Sequence, residues 1–151
     1  MVARDEERAI GFSASEPVKL EIPSRPEYIL LARLIVSGVG RAAGLNADDI
    51  YDLKLAVTEA VTNVIRHANV ESFEIEYHLM QGAVEVSVTD AGGGFDVESF
   101  ERGAGTSGGF GLAVIRSLVD ELSLNSSGTG TRLRMLRRAA EERTSSAGGD
   151  I

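Results

Sequence analysis

The sequence predicts an α+β fold, a two-layer α/β sandwich in which helices cover one face of a mixed, mostly antiparallel sheet. Two observations support this fold class. Segments with alternating apolar and polar residues occur next to each other in pairs, and three longer segments have apolar residues at helical spacing. The order is strand, two helices, two strands, helix, two strands, which lacks the regular alternation that a doubly wound parallel sheet requires.

Length and composition indicate one globular domain without a membrane segment or a thiol site. The 151 residues carry a formal net charge of −8, no cysteine, and no apolar run near the roughly 20 residues that a membrane-spanning helix needs. The folded part also lacks a basic cluster, so we expect no direct binding to nucleic acid. We predict a flexible arm over 1–14, one domain over 15–138, a disordered tail over 139–151, and a cytoplasmic location.

The first half of the domain is predicted as a strand followed by two helices. Residues 18–22 alternate as in a strand, and the apolar spacing over 27–43 indicates a helix that Gly44 ends. Asn46 has the position of an N-cap residue for a second helix, which extends to about Ala68. The apolar stripe of this second helix predicts its core face: Ile50, Leu53, Val57, Val61 and Val64.

The second half is predicted as two hairpins with a helix between them. Residues 73–79 and 83–89 alternate on either side of a short turn that contains glycine, which favours an antiparallel hairpin. Apolar spacing predicts a third helix over 110–122. The last hairpin is predicted to pair residues 122–125 with 131–136.

Glycine is concentrated in one stretch, because eight of the 17 glycines lie between Gly92 and Gly111. Such a stretch is either a flexible surface loop or a backbone that approaches a ligand closely. Asp90 ends the predicted buried strand just before it, where its carboxylate is placed to accept a hydrogen bond from the N6 amine of an adenine. The alternative is an Asp that bonds its own turn.

Two further glycine clusters have the composition of phosphate-binding turns. Residues 108–112 precede the third helix, where free N–H groups and the helix dipole favour an anion. Residues 128–131 precede the last strand, and both clusters are also compatible with plain turns. Neither is a P-loop, because the G-x-x-x-x-G-K-[ST] motif is absent and no lysine follows Lys54.

One face of the second helix carries polar residues with the chemistry of a magnesium–nucleotide site. Glu59, Asn63 and His67 are spaced four residues apart and therefore lie on one face. Asn supplies a neutral oxygen ligand to Mg²⁺, and Glu can accept a proton from an attacking hydroxyl. The alternative is an ordinary polar helix face. His67 has no second histidine at metal spacing, so we expect no zinc site.

Taken in series, these segments resemble the motifs of the GHKL ATPases, whose fold is an α/β sandwich with a mixed sheet. Residues 59–67 (EAVTNVIRH) resemble the N-box, 90–95 (DAGGGF) the first glycine box, 108–112 (GGFGL) the second, and 128–131 (GTGT) the final G-T element. The resemblance covers about residues 16–137. Within the superfamily, the chain most resembles the anti-sigma-factor serine/threonine kinases of bacterial sporulation and stress response.

The resemblance implies a role for each matching residue. Glu59 would take the proton from a serine or threonine hydroxyl, Asn63 would bind Mg²⁺, and Asp90 would bind adenine N6. Residues 96–107 would form a lid in which Arg102 is the only basic residue. The remaining matches would shape the adenine pocket or line the phosphates: Gly92, Gly94, Gly108, Gly109, Gly111, Leu112 and Thr131.

The implied activity is phosphate transfer from Mg-ATP to an anti-anti-sigma partner of the STAS type, by a homodimer that also binds a sigma factor of RNA polymerase. Three alternatives stay open at this point. The domain could hold ATP as a structural ligand and sequester a partner without phosphate transfer. It could instead be the catalytic domain of a histidine kinase, or it could share the fold without binding nucleotide.

Overall fold

The computed structural model describes residues 17–92, 107–127 and 129–140, and five strands in these ranges form one sheet. The strands are β1 (Val18–Pro23), β2 (Ser72–Met80), β3 (Ala83–Asp90), β4 (Glu121–Ser127) and β5 (Gly130–Arg138). Their order in the sheet is β1-β2-β3-β5-β4, and all four pairings are antiparallel. The sheet, predicted as mixed and mostly antiparallel, is antiparallel throughout the described residues.

Helices cover one face of this sheet: α1 (Ile29–Ala43), α2 (Ala47–His67) and α3 (Ser107–Leu118). α2 packs against both α1 and α3 and so lies between them. The Tyr77 hydroxyl of β2 donates a hydrogen bond to the Ala32 carbonyl of α1 at 2.9 Å, which joins the two layers. No helix of the described ranges is both long enough and apolar enough to span a bilayer.

Local signals set the ends of the first two helices where the sequence predicted them. Gly44 follows α1 with a φ of 91°, and its N–H donates to the carbonyls of Arg41 and Gly40. Asn46 and Asp49 form a capping box at the start of α2, in which Asn46 Oδ1 accepts from the Asp49 N–H at 2.8 Å. These caps fix α2, the helix that carries the candidate site residues.

The hydrophobic core lies between the helices and the sheet. The predicted stripe on α2 is confirmed, since its residues Leu53, Val57, Val61 and Val64 are fully buried and Ile50 is partly buried. Every second residue along the inner parts of β2, β3 and β5 completes the core: Ile75, Tyr77, Val84, Val86, Val88, Leu133 and Met135. The opposite face of the sheet carries charged side chains that pair across strands.

The last third of the chain differs from the prediction in where its elements end. α3 begins at Ser107 and stops at Leu118, because pairing with β5 already draws Glu121 into β4. The fold also includes Ala139, which is buried, and Ala140, whose N–H donates to Asp49 Oδ2 at 3.0 Å. These two residues lie just beyond the predicted domain end at 138. The predicted arm, and the tail from residue 141, lie outside the described residues.

One guanidinium joins the sheet to the ends of two helices. Arg137 of β5 donates to Asp49 Oδ1 from Nη2 at 2.9 Å and from Nε at 3.2 Å. Its Nη1 donates to the carbonyl of Leu118, the last residue of α3, at 2.7 Å. Its Nη2 also lies 3.0 Å from Asp52. Arg137 therefore ties β5 to the start of α2 and to the end of α3.

Asp49 is buried in its ionised form because several donors surround it. Burial by itself would raise the pKa of the Asp49 carboxyl. Hydrogen bonds from the Arg137 guanidinium and from the N–H groups of Ala140 and Asn46 outweigh burial, so the pKa lies below the ordinary value of 3.8. The folded state is consequently stabilised by the charged form of this carboxyl.

Candidate functional site

Asp90 occupies the last position of β3, next to the start of β5. The side chain is buried, and its register partner on β5 is Thr131, which is also buried. Asp90 Oδ1 accepts the Gly92 N–H at 2.7 Å and so holds the turn that leaves the strand. The prediction that Asp90 bonds the backbone of its own turn is thus confirmed. This bond is compatible with ligand binding, because a carboxylate can accept several hydrogen bonds.

Two glycines bring neighbouring segments into close contact with this turn. A Cβ atom added at Gly92 would lie 2.2 Å from the Ala68 carbonyl oxygen at the end of α2. A Cβ atom added at Gly130 would lie 2.1 Å from the Asp90 carbonyl oxygen. Since both distances are far inside van der Waals contact, any side chain at either position would push the segments apart. The end of α2 and the start of β5 therefore meet at Asp90.

Asn63 presents a buried amide from α2 towards the start of α3. The residue is only 8% exposed, and its Nδ2 has no hydrogen-bond partner among the described residues. A Cβ atom added at Gly111 would lie 2.6 Å from this nitrogen, so the bare backbone of α3 covers the amide. A buried polar group without a partner costs about 1–3 kcal/mol. Such a group at a glycine-lined position indicates a polar ligand.

The polar face of α2 is half-buried at Glu59, buried at Asn63 and exposed at His67. Glu59 is half-buried one turn before Asn63, and the described part of the chain offers it neither an ion pair nor a hydrogen bond. His67 is exposed in the last turn. The structure therefore groups Glu59 and Asn63, about 6 Å apart along the helix axis, as a carboxylate and an amide on one face.

The second glycine cluster lies inside α3 and not before it. Gly108 and Gly109 belong to the first turn of the helix, because α3 starts at Ser107. The Leu112 side chain is buried in the core, so only its backbone is available to a ligand. The remaining predicted positions, Gly94 and the lid with Arg102, lie outside the described residues.

A cavity of about 170 Å³ opens at the same end of the sheet. Besides Asp90 and Thr131, Gly130 and several polar residues line it: Thr89, Asn125, Ser127, Thr129 and Arg132. Since successive strand residues point to opposite faces, Thr89 and Arg132 project from the face away from the helices. Asn125 and Arg132 could not be predicted from the sequence, because only the register of the last hairpin brings them to this cavity.

The described residues fit a magnesium–nucleotide complex better than a metal held by protein alone. Among them, no group of three or more His, Cys, Asp or Glu side chains is arranged to hold a metal ion. Mg²⁺ commonly keeps several waters and takes phosphate oxygens together with one or two protein ligands. The buried amide of Asn63, beside the glycine-rich start of α3, would supply one such protein ligand.

Two curated relatives are similar over most of the chain. The serine-protein kinase RsbW of Oceanobacillus iheyensis is 34% identical over 83% of this chain and 88% of its own length. The serine-protein kinase RsbW of Listeria innocua is 38% identical over 72% of this chain and 79% of its own length.

Solved structures share the fold at low sequence identity. The RsbU and RsbW domains of Rv1364c from Mycobacterium tuberculosis give a TM-score of 0.63 at 21% identity, covering 82% of this chain and 32% of that one. The SiaB–SiaC complex from Pseudomonas aeruginosa also gives a TM-score of 0.63, at 14% identity, covering 89% of this chain and 95% of that one. The family model of the histidine kinase-like ATPase domain matches residues 22–137. The chain therefore belongs to the histidine kinase-like ATPase domain family.

Proposed function

We propose that this chain is an ATP-dependent serine/threonine protein kinase that acts as an anti-sigma factor. The observation that carries the proposal is the buried Asn63 amide, which has no partner among the described residues, faces the bare backbone of Gly111 and lies one turn from Glu59. Relatives at 34% and 38% identity bear the name serine-protein kinase. The anti-sigma role rests on the motif resemblance described above.

The adenine end of the nucleotide is assigned to the place where β3, β5 and α2 meet. Asp90 would accept the hydrogen bond of the adenine N6 amine, and Thr131 stands opposite it in the sheet. Gly92 keeps the turn after Asp90 close to the end of α2. We assign Gly94 to the same pocket on the motif resemblance.

The phosphate end is assigned to the face that α2 and α3 share. Asn63 would bind the magnesium through its amide oxygen. Rotating the side-chain amide by half a turn would bring this oxygen to the position that the amide nitrogen occupies in the structure. Gly108 and Gly109, in the first turn of α3, would offer N–H groups to phosphate oxygens at the positive end of the helix dipole. The backbone of Gly111 and Leu112 would line the phosphates from the next turn. Bound Mg²⁺ would neutralise phosphate charge as the bond to the leaving ADP breaks.

Glu59 is proposed as the general base. It would take the hydroxyl proton of a partner serine or threonine while the hydroxyl oxygen bonds to the γ-phosphorus and ADP leaves. A site that only stores ATP does not require a carboxylate one turn from the metal ligand. For this reason we favour the kinase over a module that binds ATP and sequesters a partner without phosphate transfer.

The proposed partners are proteins. The substrate would be a STAS-type anti-anti-sigma protein, and the sequestered protein would be a sigma factor of RNA polymerase, which places the reaction in the cytoplasm. The motif resemblance also implies a homodimer. We propose no direct nucleic-acid contact, because the net charge of −8 disfavours phosphate backbones.

Thermal unfolding in the presence of Mg-ATP tests the nucleotide site. At about 100 times the dissociation constant, ATP is expected to raise the free energy of unfolding by about 2.7 kcal/mol. Asp90→Asn should lose most of this gain, because the amide presents an N–H group where the adenine amine needs an acceptor. Asp48→Asn alters an exposed carboxylate in the first turn of α2 and should retain the gain.

Transfer of label from γ-³²P-ATP to a STAS-type protein with a phosphorylatable serine tests the kinase assignment. We expect labelled partner with the wild-type chain and none with Asp90→Asn. An absent thermal shift in the wild-type chain would contradict the nucleotide site. A full shift without any transfer would support the sequestering module against the kinase.

A further inference from the structure

The Arg137 guanidinium contacts the end of α3 and the start of α2 at the same time. Its side chain leaves β5 on the side of the helices and is only 11% exposed. Nη1 donates to the Leu118 carbonyl at 2.7 Å, Nε and Nη2 bind Asp49, and Nη2 also lies 3.0 Å from Asp52. All three nitrogens of a rigid, planar group are therefore engaged, which fixes the helix ends relative to each other.

The two helices that Arg137 joins run antiparallel, so their other ends meet at the candidate phosphate site. Gly111, near the start of α3, lies against Asn63, near the end of α2. Leu118, at the end of α3, shares Arg137 with Asp52, near the start of α2. Gly111 and Leu118 are seven residues apart, which is about 10 Å along a helix. A displacement of α3 along its axis at one end is therefore transmitted to the other end.

Hydrophobic packing by itself defines the depth of α3 in the fold better than its axial position. Leu112 and Ile115 bury the inner face of this helix in the core. Apolar contacts stabilise in proportion to the area buried and have no preferred direction. A hydrogen bond to the last carbonyl, in contrast, constrains both a distance and an angle. The bond from Arg137 to Leu118 thus sets how far α3 reaches along α2.

We infer that Arg137 is a positioning residue for the phosphate end of the nucleotide, and that it acts through α3. By holding the Leu118 carbonyl, it places the Gly111 backbone over the Asn63 amide and the first-turn N–H groups of α3 at the phosphates. Arg137 itself does not touch the ligand in this assignment, because α3 lies between the two. This role rests on the proposed function, since it requires a nucleotide phosphate at the start of α3.

The adenine end of the site should not depend on Arg137. Thr131 and Arg137 lie on the same strand, β5, six residues or about 20 Å apart. Asp90 stands opposite Thr131, where β3, β5 and the end of α2 meet without a contribution from α3. A misplaced α3 should therefore weaken binding of the phosphates and leave binding of adenine unchanged. A general loss of stability would not discriminate between two parts of the same ligand.

Binding of Mg-ATP and of adenosine to the full chain tests the inference. Arg137→Lys keeps a positive charge beside Asp49 but cannot reproduce the guanidinium fork, so the Leu118 carbonyl loses its donor. We expect this variant to bind Mg-ATP about tenfold more weakly or worse, because a shift of about 1 Å misaligns the donors around a phosphate. Adenosine, titrated by NMR, should bind the variant as it binds wild type.

Arg134→Lys is the matched control for the loss of a guanidinium from β5. Arg134 pairs with Glu85 and Glu121 on the opposite face of the sheet, away from both helices. This variant should keep the wild-type affinity for both ligands. Urea unfolding at the assay temperature confirms that each variant is folded when it is titrated.

Asp52→Ala tests the same tie if Arg137→Lys does not fold. Asp52 is 32% exposed, and its removal frees one side of the Arg137 guanidinium while the pair with Asp49 remains. A smaller weakening, again confined to Mg-ATP, is expected.

The two ligands separate the possible outcomes. Equal weakening of Mg-ATP and adenosine in the folded variants, or unchanged Mg-ATP binding in them, overturns the role of Arg137 and leaves the nucleotide site standing. A wild-type chain that fails to bind either ligand contradicts the nucleotide site itself, and the positioning role falls with it.

Discussion

Glu59→Gln is expected to lower phosphate transfer by about 10²- to 10⁴-fold while leaving Mg-ATP binding unchanged. The amide keeps the shape of the side chain but cannot accept the proton of the attacking hydroxyl. Glu59 makes no hydrogen bond or ion pair in the described part of the chain, so the substitution should not disturb the fold. Asn63, which holds the metal in our assignment, remains in place.

The measurement combines single-turnover transfer to the partner serine with calorimetric titration of Mg-ATP. Glu74→Gln is the control, since Glu74 is an exposed glutamate on β2. Equal transfer by Glu59→Gln and wild type would remove Glu59 from the chemistry. Loss of ATP affinity in the same variant would point to a binding role and not to a base.

Arg137→Met should destabilise the fold by about 3–5 kcal/mol, because it leaves the buried Asp49 carboxylate without its charged partner. It also removes the donor that satisfies the Leu118 carbonyl at the end of α3. Arg132→Met is the matched control. Its ion pair with Glu76 at 3.3 Å is exposed and should be worth about 1 kcal/mol at most.

Urea unfolding at several pH values measures this effect and its origin. The pKa of Asp49 is lower in the folded chain than the ordinary 3.8, so the ion pair stabilises fully above about pH 4. This contribution is lost as the pH falls through the folded-state pKa. The gap between the free energies of unfolding of wild type and Arg137→Met should therefore shrink on acidification. A gap of the same size at pH 3 and pH 7 would mean that packing, not charge, explains the loss.

Where local chemistry decides the structure, the sequence was sufficient to predict it. The α2 stripe, the Asn46 cap and the β2–β3 hairpin each depend on residues close together in the chain. The end of α3 could not be predicted, because Val119 and Leu122 continue an apolar helical spacing. The helix ends before them because β4 pairs with β5, and this pairing places Leu122 opposite Met135. Long-range pairing overrides local spacing there.

The residue types of the candidate site could be predicted from the sequence, but their arrangement could be predicted only in part. The spacing of Glu59 and Asn63 placed them on one helix face, and Asp90 was expected at a strand end. The contact between Asn63 and Gly111 arises from the packing of α2 on α3, which no local pattern encodes. For the same reason, the sequence could not show that the Leu112 side chain enters the core.

A crystal structure of the chain with magnesium and a non-hydrolysable ATP analogue tests the central claim most directly. We predict the adenine amine within hydrogen-bond distance of the Asp90 carboxylate, and the metal-bound phosphates at the Asn63 amide beside the start of α3. A nucleotide bound elsewhere, or bound without contact to Asp90 and Asn63, would contradict the assignment of this site.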